Sequence, residues 1–135
     1  MRHPCILLAE DDVSFRDILE TKLTSIGYRV VSVADGLEAM EYLSRARTAD
    51  AEEAAPDLLI TDVCMPRCSG IDVLAYTRLW PVATIVLTAY LTPEALAEAR
   101  ELGAAACFRK PVKLDVLCDA ARQLAPLAAP GPSRA

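Results

Sequence analysis

The sequence is poor in the residues from which many metal and redox sites are built. It contains one histidine, His3, and its five cysteines include no Cys-x-x-Cys pair. A zinc site of cysteines and histidines is therefore not available. An odd number of cysteines without paired spacing is typical of reduced thiols in a cytosolic protein, so we expect a cytoplasmic location.

Positive charge and long apolar runs are also scarce. The chain has 14 Lys and Arg against 19 Asp and Glu, a formal net charge of −5. Non-specific nucleic-acid binding requires Lys and Arg facing the phosphates, so we expect no direct nucleic-acid binding by this chain. No apolar run approaches the ~20 residues that cross a bilayer, and the amino terminus lacks a signal-peptide pattern, so we expect no membrane contact.

What the sequence does contain is enough aliphatic material for one folded domain. Hydrophobic residues make up 53% of the 135 residues, whereas aromatic residues make up only 5%. We therefore expect a core built from Leu, Val, Ile and Ala.

Short apolar runs alternate along the chain with longer amphipathic segments. The predicted strands are residues 5–9, 28–33, 57–61, 83–87 and 105–108. The second alternates and suits an outer position, whereas the first, third and fourth are continuous runs, as in parallel strands covered on both faces. The predicted helices are residues 13–26, a segment opening at residue 35, 71–80, a segment from 93 to before 103, and 113–124. This β-α alternation predicts a doubly wound α/β fold with a parallel sheet.

Local signals support two of the helices. Asp35 and Glu38 have the spacing of a capping box at the start of the second helix, and the Ala-rich segment 45–56 is expected to prolong that helix. Gly27 stands where the first helix should end. The 13–26 segment places five apolar residues on one predicted buried stripe: Phe15, Ile18, Leu19, Leu23 and Ile26.

Acidic residues stand at the ends of two predicted strands. Glu10, Asp11 and Asp12 follow the first strand, and Asp62 follows the third. Ligands of such sheets bind beyond the carboxyl ends of the strands, so we expect Asp62 to lie at that edge and not in the core. If the first and third strands are neighbours, Glu10, Asp11 and Asp62 come together. A simpler alternative is that Asp11 and Asp12 only cap the first helix.

A cluster of three carboxylates requires a cation or a shared proton. Two carboxylates ~4 Å apart repel by ~4 kcal/mol at a surface-like dielectric constant. Oxygen-only ligands favour a hard ion, and a few carboxylates suit Mg²⁺. Mg²⁺ beside a carboxylate suits phosphoryl transfer, in which the carboxylate can be the nucleophile. Thr88 and Lys110, at the ends of later strands, supply a hydroxyl group and a cation.

Four motifs occur in order at these strand ends: "LLAEDD", "LLITDVCMP..SG", "IVLTA" and "FRKP". Over residues 4–124 the sequence thereby resembles the receiver domain of bacterial two-component response regulators. The resemblance implies a flavodoxin-like (βα)5 fold with strand order 2-1-3-4-5. We assign residues 1–124 to the receiver domain and residues 125–135 to a Pro/Ala-rich tail or linker.

The resemblance also implies a role for each acidic residue. Asp62 would accept a phosphoryl group from a histidine kinase or a phosphotransfer protein. Mg²⁺ would be held by Glu10, Asp11, Asp62 and the backbone carbonyl of Cys64. The domain would not be an enzyme in the turnover sense, because it would only catalyse transfer to its own aspartate and the hydrolysis of that phosphoryl group.

Two further residues would respond to the phosphoryl group. Thr88 would bind its oxygens, and Lys110 would pair with it or with Asp62. By resemblance the Lys110–Pro111 peptide bond would be cis. The resulting change of conformation would control an output domain or a partner through the face formed by the fourth helix, fifth strand and fifth helix, with a homodimer as one arrangement.

The sequence departs from the family pattern at the position three residues before the lysine, where an aromatic residue is usual. Cys107 stands there, and Phe108 is expected to point to the opposite face of its strand. We therefore do not expect the usual aromatic switch. Cys64 and Cys68 flank the acceptor, and a thiol redox switch is an alternative role for them.

Two other functions remain as alternatives. A pseudo-receiver would be a protein-interaction module that no longer takes phosphate, but it predicts a broken acidic set. A Mg²⁺-dependent aspartyl phosphatase would resemble its relatives by carrying a second aspartate at position 64, where this chain has Cys64.

Overall fold

The computed structural model describes residues 3–48, 55–65, 67, 69–78 and 82–127. Its strands form one parallel sheet of five in the order β2-β1-β3-β4-β5. They are β1 (Cys5–Ala9), β2 (Arg29–Val33), β3 (Leu58–Asp62), β4 (Ala83–Thr88) and β5 (Ala106–Arg109). The doubly wound α/β fold and the strand order 2-1-3-4-5 are confirmed, and the alternating second strand lies at an edge as predicted.

Helices cover both faces of the sheet. They are α1 (Val13–Ser25), α2 (Gly36–Ala46), α3 (Gly70–Thr77), α4 (Pro93–Glu101) and α5 (Leu114–Leu124). Buried residues of α1 and α5 pack on one face, and those of α2, α3 and α4 pack on the other. β1 and β3 are buried along their whole length, which explains their continuous apolar sequences.

The predicted helix ends are present. Asp12 and Asp35 are the N-caps of α1 and α2, accepting the backbone N–H groups of Phe15 and Glu38 at 3.1 and 2.9 Å. The Glu38 side chain accepts the N–H of Ala34 at 2.9 Å, one residue before the N-cap, so the cap by Asp35 is as predicted but the return bond of the predicted capping box is shifted by one residue. These bonds fix where the chain turns from each strand end into the following helix.

One member of the predicted stripe on α1 is wrong. Ile18 is 52% exposed, whereas Leu19 and Leu23 are buried. The buried stripe is narrower than the sequence pattern indicates, since residues four apart, such as Leu19 and Leu23, already fill the contact with the sheet. Ile18 instead borders a groove that α1 forms with Leu114 at the start of α5.

Two predicted segments extend beyond what the structure describes. α2 ends at Ala46, so it includes only the first two residues of the segment 45–56, and residues 49–54 lie outside the described part. α3 ends at Thr77 and is shorter than the predicted 71–80; residues 79–81, which include the last two residues of that prediction, are likewise outside. Within the described residues, no helix combines the length and apolar character that a membrane span requires.

The segment that follows α5 packs onto the domain. Ala125 is 4% exposed, and its carbonyl oxygen accepts the hydroxyl of Tyr28 at 2.7 Å. Leu127 contacts the same core cluster and lies against Gly27. Residues 125–127, which the sequence analysis assigns to the tail, therefore make ordered contacts, and residues 128–135 lie outside the description.

Candidate functional site

The predicted acids meet at the carboxyl edge of the sheet. β1 and β3 are neighbours, with Ala9 paired to Thr61, so Glu10 and Asp62 stand side by side just beyond that pair. Glu10 is 1% exposed and Asp62 is 6% exposed, whereas Asp11 is exposed. The expectation that Asp62 is outside the core is therefore wrong in part, because Asp62 lies at the strand end but its side chain is buried.

Glu10, Asp11 and Asp62 form one cluster, in which one carboxylate oxygen from each lies within 4.8 Å of the others. Burial raises the pKa of Glu10, and the charge of Asp62 acts in the same direction, although bonds from Lys110 and the Asp12 amide oppose it. The donor set is oxygen only and rich in negative charge, which fits Mg²⁺ in chemistry and number.

Lys110 neutralises this cluster from inside the protein. Its Nζ donates to Glu10 at 2.8 Å and makes a second, short hydrogen bond to Asp62. Burial lowers the pKa of Lys110, but the hydrogen bonds to Asp62 and Glu10 outweigh it and the net pKa is raised. The lysine is thus charged at neutral pH and bridges the two buried carboxylates. The Lys110–Pro111 bond is cis, as predicted.

Thr88 and Cys64 flank the acid cluster. Asp62 pairs with Leu87, which puts Thr88 one residue beyond on β4, and its hydroxyl accepts the N–H of Tyr90 at 3.1 Å. The N–H of Cys64 donates to Asp62 at 2.9 Å. Contacts thus join Glu10, Asp62, Cys64 and Lys110, Asp11 belongs to the acid cluster, and the register of β4 places Thr88 at the same edge of the sheet.

Two contacts were not predictable from the motifs. The Phe15 ring lies under Lys110, with Nζ 4.9 Å from the ring centroid, and Arg16 donates to the Glu10 carbonyl at 2.9 Å. Both residues are on the first turn of α1, where the sequence indicated only packing. A cleft of about 360 Å³ opens beside the lysine; it is lined by Asp12, Phe15, Ala89, Lys110, Pro111 and Val112.

The bridging lysine leads to a first prediction. In Lys110→Met the buried pair Glu10 and Asp62 loses its internal cation. We expect the metal-free variant to be destabilised by roughly 2 kcal/mol, below the full cost of breaking a buried ion pair because Lys110 is partly exposed. We expect added Mg²⁺ to stabilise the variant more than wild type, because no ammonium group then competes with the cation for the carboxylate oxygens. Urea unfolding with EDTA and with Mg²⁺ measures both effects, and an equal Mg²⁺ effect in the two proteins would contradict the prediction.

Cys107, at the position where the family usually has an aromatic residue, and its neighbour Phe108 lie on opposite faces of β5, as predicted. Cys107 packs in the cluster of Leu74, Val86 and Ala99, whereas Phe108 packs in the core cluster of α1 and α5. Burial raises the pKa of the Cys107 thiol, which keeps it protonated. Cys64 is an exposed free thiol, and Cys68 lies outside the described residues.

The family model of the response regulator receiver domain matches residues 6–122. The chain belongs to this family. The receiver domain is 30% identical over 129 residues to sporulation initiation phosphotransferase F of Bacillus subtilis, a match that covers 94% of this chain and 98% of that protein. It is 39% identical over 119 residues to the transcriptional regulatory protein PdtaR of Mycobacterium tuberculosis, covering 85% of this chain but 53% of that protein.

Among solved structures, the receiver domain resembles that of the phosphorylated cyanobacterial phytochrome response regulator RcpA. The TM-score is 0.80 at 25% identity, and the match covers 95% of this chain and 100% of that one. The receiver domain thus spans nearly all of one curated relative and about half of another. Its place in two-component and phosphorelay signalling follows from this membership.

Proposed function

We propose that this receiver domain is a phosphorylation-controlled switch in which Asp62 accepts a phosphoryl group with the help of Mg²⁺. The observation that supports this most is the buried pair Glu10 and Asp62 bridged by Lys110, with Asp11 completing the cluster. Such a pair is costly to maintain for stability alone, because an apolar replacement is often no less stable.

Each residue has a distinct task in this proposal. Glu10, Asp11, Asp62 and the carbonyl of Cys64 would hold Mg²⁺, which would supply charge neutralisation for the transferring oxygens. One oxygen of Asp62 attacks the phosphorus of the donor phosphohistidine as the P–N bond breaks. Lys110 then pairs with the new phosphoryl charge.

Thr88 is the residue through which we propose that the signal leaves the site. Its hydroxyl now accepts the N–H of Tyr90. Donation to a phosphoryl oxygen would reorient that hydroxyl and displace the loop after β4. The face of α4, β5 and α5 would carry the change to an output domain, a partner or a second copy of the chain, in the cytoplasm.

The donor would be a histidine kinase or a phosphotransfer protein. The name of the Bacillus relative, a phosphotransferase, supports a role in phosphoryl relay, and that of PdtaR supports transcriptional control in a longer protein. The solved structure of RcpA in a phosphorylated form supports phosphate acceptance by this fold.

The test is intact-mass spectrometry after incubation with acetyl phosphate. We expect one base-labile phosphoryl group per chain in the presence of Mg²⁺ and none when EDTA removes the metal, because the charge on the donor is then not neutralised. If no adduct forms in the presence of Mg²⁺, whether the donor is acetyl phosphate or a phosphorylated protein, the result would favour the pseudo-receiver instead.

A further inference from the structure

Arg67 lies in the loop between β3 and α3 with a backbone φ of +69°, the only positive value that the described residues show outside glycine. A side chain in this region of backbone conformation is strained. Such a conformation persists where the surrounding contacts hold it. The guanidinium contacts of Arg67 are therefore candidates for what holds this backbone conformation.

The guanidinium binds the N-cap of α2. Arg67 Nε donates to Asp35 Oδ2 at 2.8 Å, a terminal nitrogen lies 2.8 Å from the same oxygen, and another contact of 3.6 Å reaches Glu38. The other oxygen of Asp35 is held by the Glu38 amide at 2.9 Å. The Asp35 side chain is only 9% exposed, whereas that of Arg67 is 52% exposed, so the carboxylate is anchored in the protein and the guanidinium is half in solvent.

The topology shows what this ion pair spans. Asp35 follows β2 and Arg67 follows β3, and β1 lies between those strands. The ion pair therefore joins the segments that follow the two neighbours of β1, the strand after which Glu10 and Asp11 stand. It ties the loop after the acceptor to the start of α2.

The loop that Arg67 anchors is also held at its base. The N–H of Gly70 donates to the carbonyl of Val63 at 2.9 Å, and the N–H of Cys64 donates to Asp62 at 2.9 Å. Both bonds hold the peptide unit between Val63 and Cys64, whereas the Cys64 carbonyl belongs to the next peptide unit, in the direction of Arg67. Among the described residues of this loop, Arg67 makes an ion pair with a neighbouring element.

We infer that Arg67 is a positioning residue for the metal site, acting through Asp35 to hold the loop whose Cys64 carbonyl would meet Mg²⁺. This inference rests on the proposed function. Groups that orient metal ligands without touching the metal typically contribute 10–100-fold in affinity. Because a single backbone ligand is supported here, we expect roughly tenfold, the lower end of that range.

The experiment is calorimetric titration of the whole chain with Mg²⁺ in Arg67→Gly, Asp35→Asn and the double variant. Glycine removes the ion pair but accepts the positive φ, and asparagine keeps the N-cap of α2 but loses the charge. We expect each single variant to bind Mg²⁺ roughly tenfold more weakly. The double variant should be no weaker than either, because both changes break the same pair.

The matched control is Arg122→Ala. The side chain of Arg122 is 45% exposed, similar to the 52% of Arg67, and both arginines pair with an aspartate at 2.8 Å. Arg122, however, lies on α5. The Mg²⁺ affinity of the Arg122→Ala variant should equal that of wild type. Urea unfolding of Arg67→Gly in EDTA should give a midpoint near wild type, since relief of the backbone strain offsets the lost ion pair. A purely structural role would lower stability and leave Mg²⁺ affinity unchanged.

Mg²⁺ affinities of Arg67→Gly and Asp35→Asn equal to that of wild type would overturn the inference and leave the proposed function intact. Wild type that binds no Mg²⁺ would overturn the proposed function, and the inference with it. Weaker binding in Arg67→Gly alone would assign the effect to loop flexibility and overturn the role of the ion pair.

Discussion

Asp62→Asn should abolish phosphoryl transfer from acetyl phosphate while leaving the fold intact. Asparagine offers no anionic oxygen to attack phosphorus, and it removes one of the carboxylates that would bind Mg²⁺. Its side-chain oxygen can still accept the N–H of Cys64, and Lys110 keeps its bond to Glu10 at 2.8 Å. Intact-mass spectrometry should show no adduct, and urea unfolding without metal should give a midpoint at or above that of wild type, since one of two repelling buried carboxylates is gone.

The matched control is Asp12→Asn. Asp12 is close in sequence to the acids but caps α1 through the Phe15 amide, and asparagine caps a helix equally well. This variant should take one phosphoryl group as wild type does. An adduct that survives in Asp62→Asn would place the acceptor elsewhere in the chain.

Gly70→Ala should destabilise the domain by about 3 kcal/mol or more, at or above the usual cost of overpacking. A Cβ on Gly70 would lie 2.2 Å from the carbonyl oxygen of Asp62 and 2.9 Å from its carbonyl carbon. Backbone, unlike a flexible side chain, cannot move aside without breaking the loop that starts α3. Helix propensity alone predicts the opposite sign, because alanine is favoured over glycine by ~1 kcal/mol.

Gly103→Ala provides the comparison. Gly103 has φ of +99°, and a Cβ there would meet nothing within 4 Å. Its cost should be only the backbone strain, on the order of 1 kcal/mol. Urea unfolding of both variants separates the cost of a steric clash with backbone at Gly70 from the cost of a positive φ at Gly103. Equal stability of Gly70→Ala and wild type would contradict the clash. The same loop carries Arg67, so Gly70→Ala should also impair phosphorylation in whatever fraction remains folded.

The order of strands and helices was predictable because each element has a strong local signal. The continuous apolar runs of β1 and β3 reflect burial on both faces, and the caps Asp12 and Asp35 mark where helices begin. The gathering of Glu10 and Asp62 also followed, since parallel neighbours place their carboxyl ends together. Their roles in phosphoryl transfer remain predictions.

The remaining features depend on contacts between residues that are far apart in the sequence. The contact of Lys110 with Glu10 joins residues 100 apart, and the ion pair of Arg67 with Asp35 joins residues 32 apart. The role of Asp35 as a helix cap already explained its presence in the sequence, so nothing pointed to Arg67 as a second partner. The burial of Asp62 was missed because the sequence shows where a strand ends but not how deeply the loops cover that end.

The packing of residues 125–127 fixes the place at which the described part of the chain leaves the domain. Ala125 and Leu127 rest on Tyr28 and Gly27, which precede β2 and therefore lie at the amino edge of the sheet. The acid cluster lies at the other edge, roughly 16 Å away for strands of five residues at 3.3 Å per residue. A tag or fluorophore joined directly after residue 127 would therefore start at the end of the sheet opposite the acid cluster.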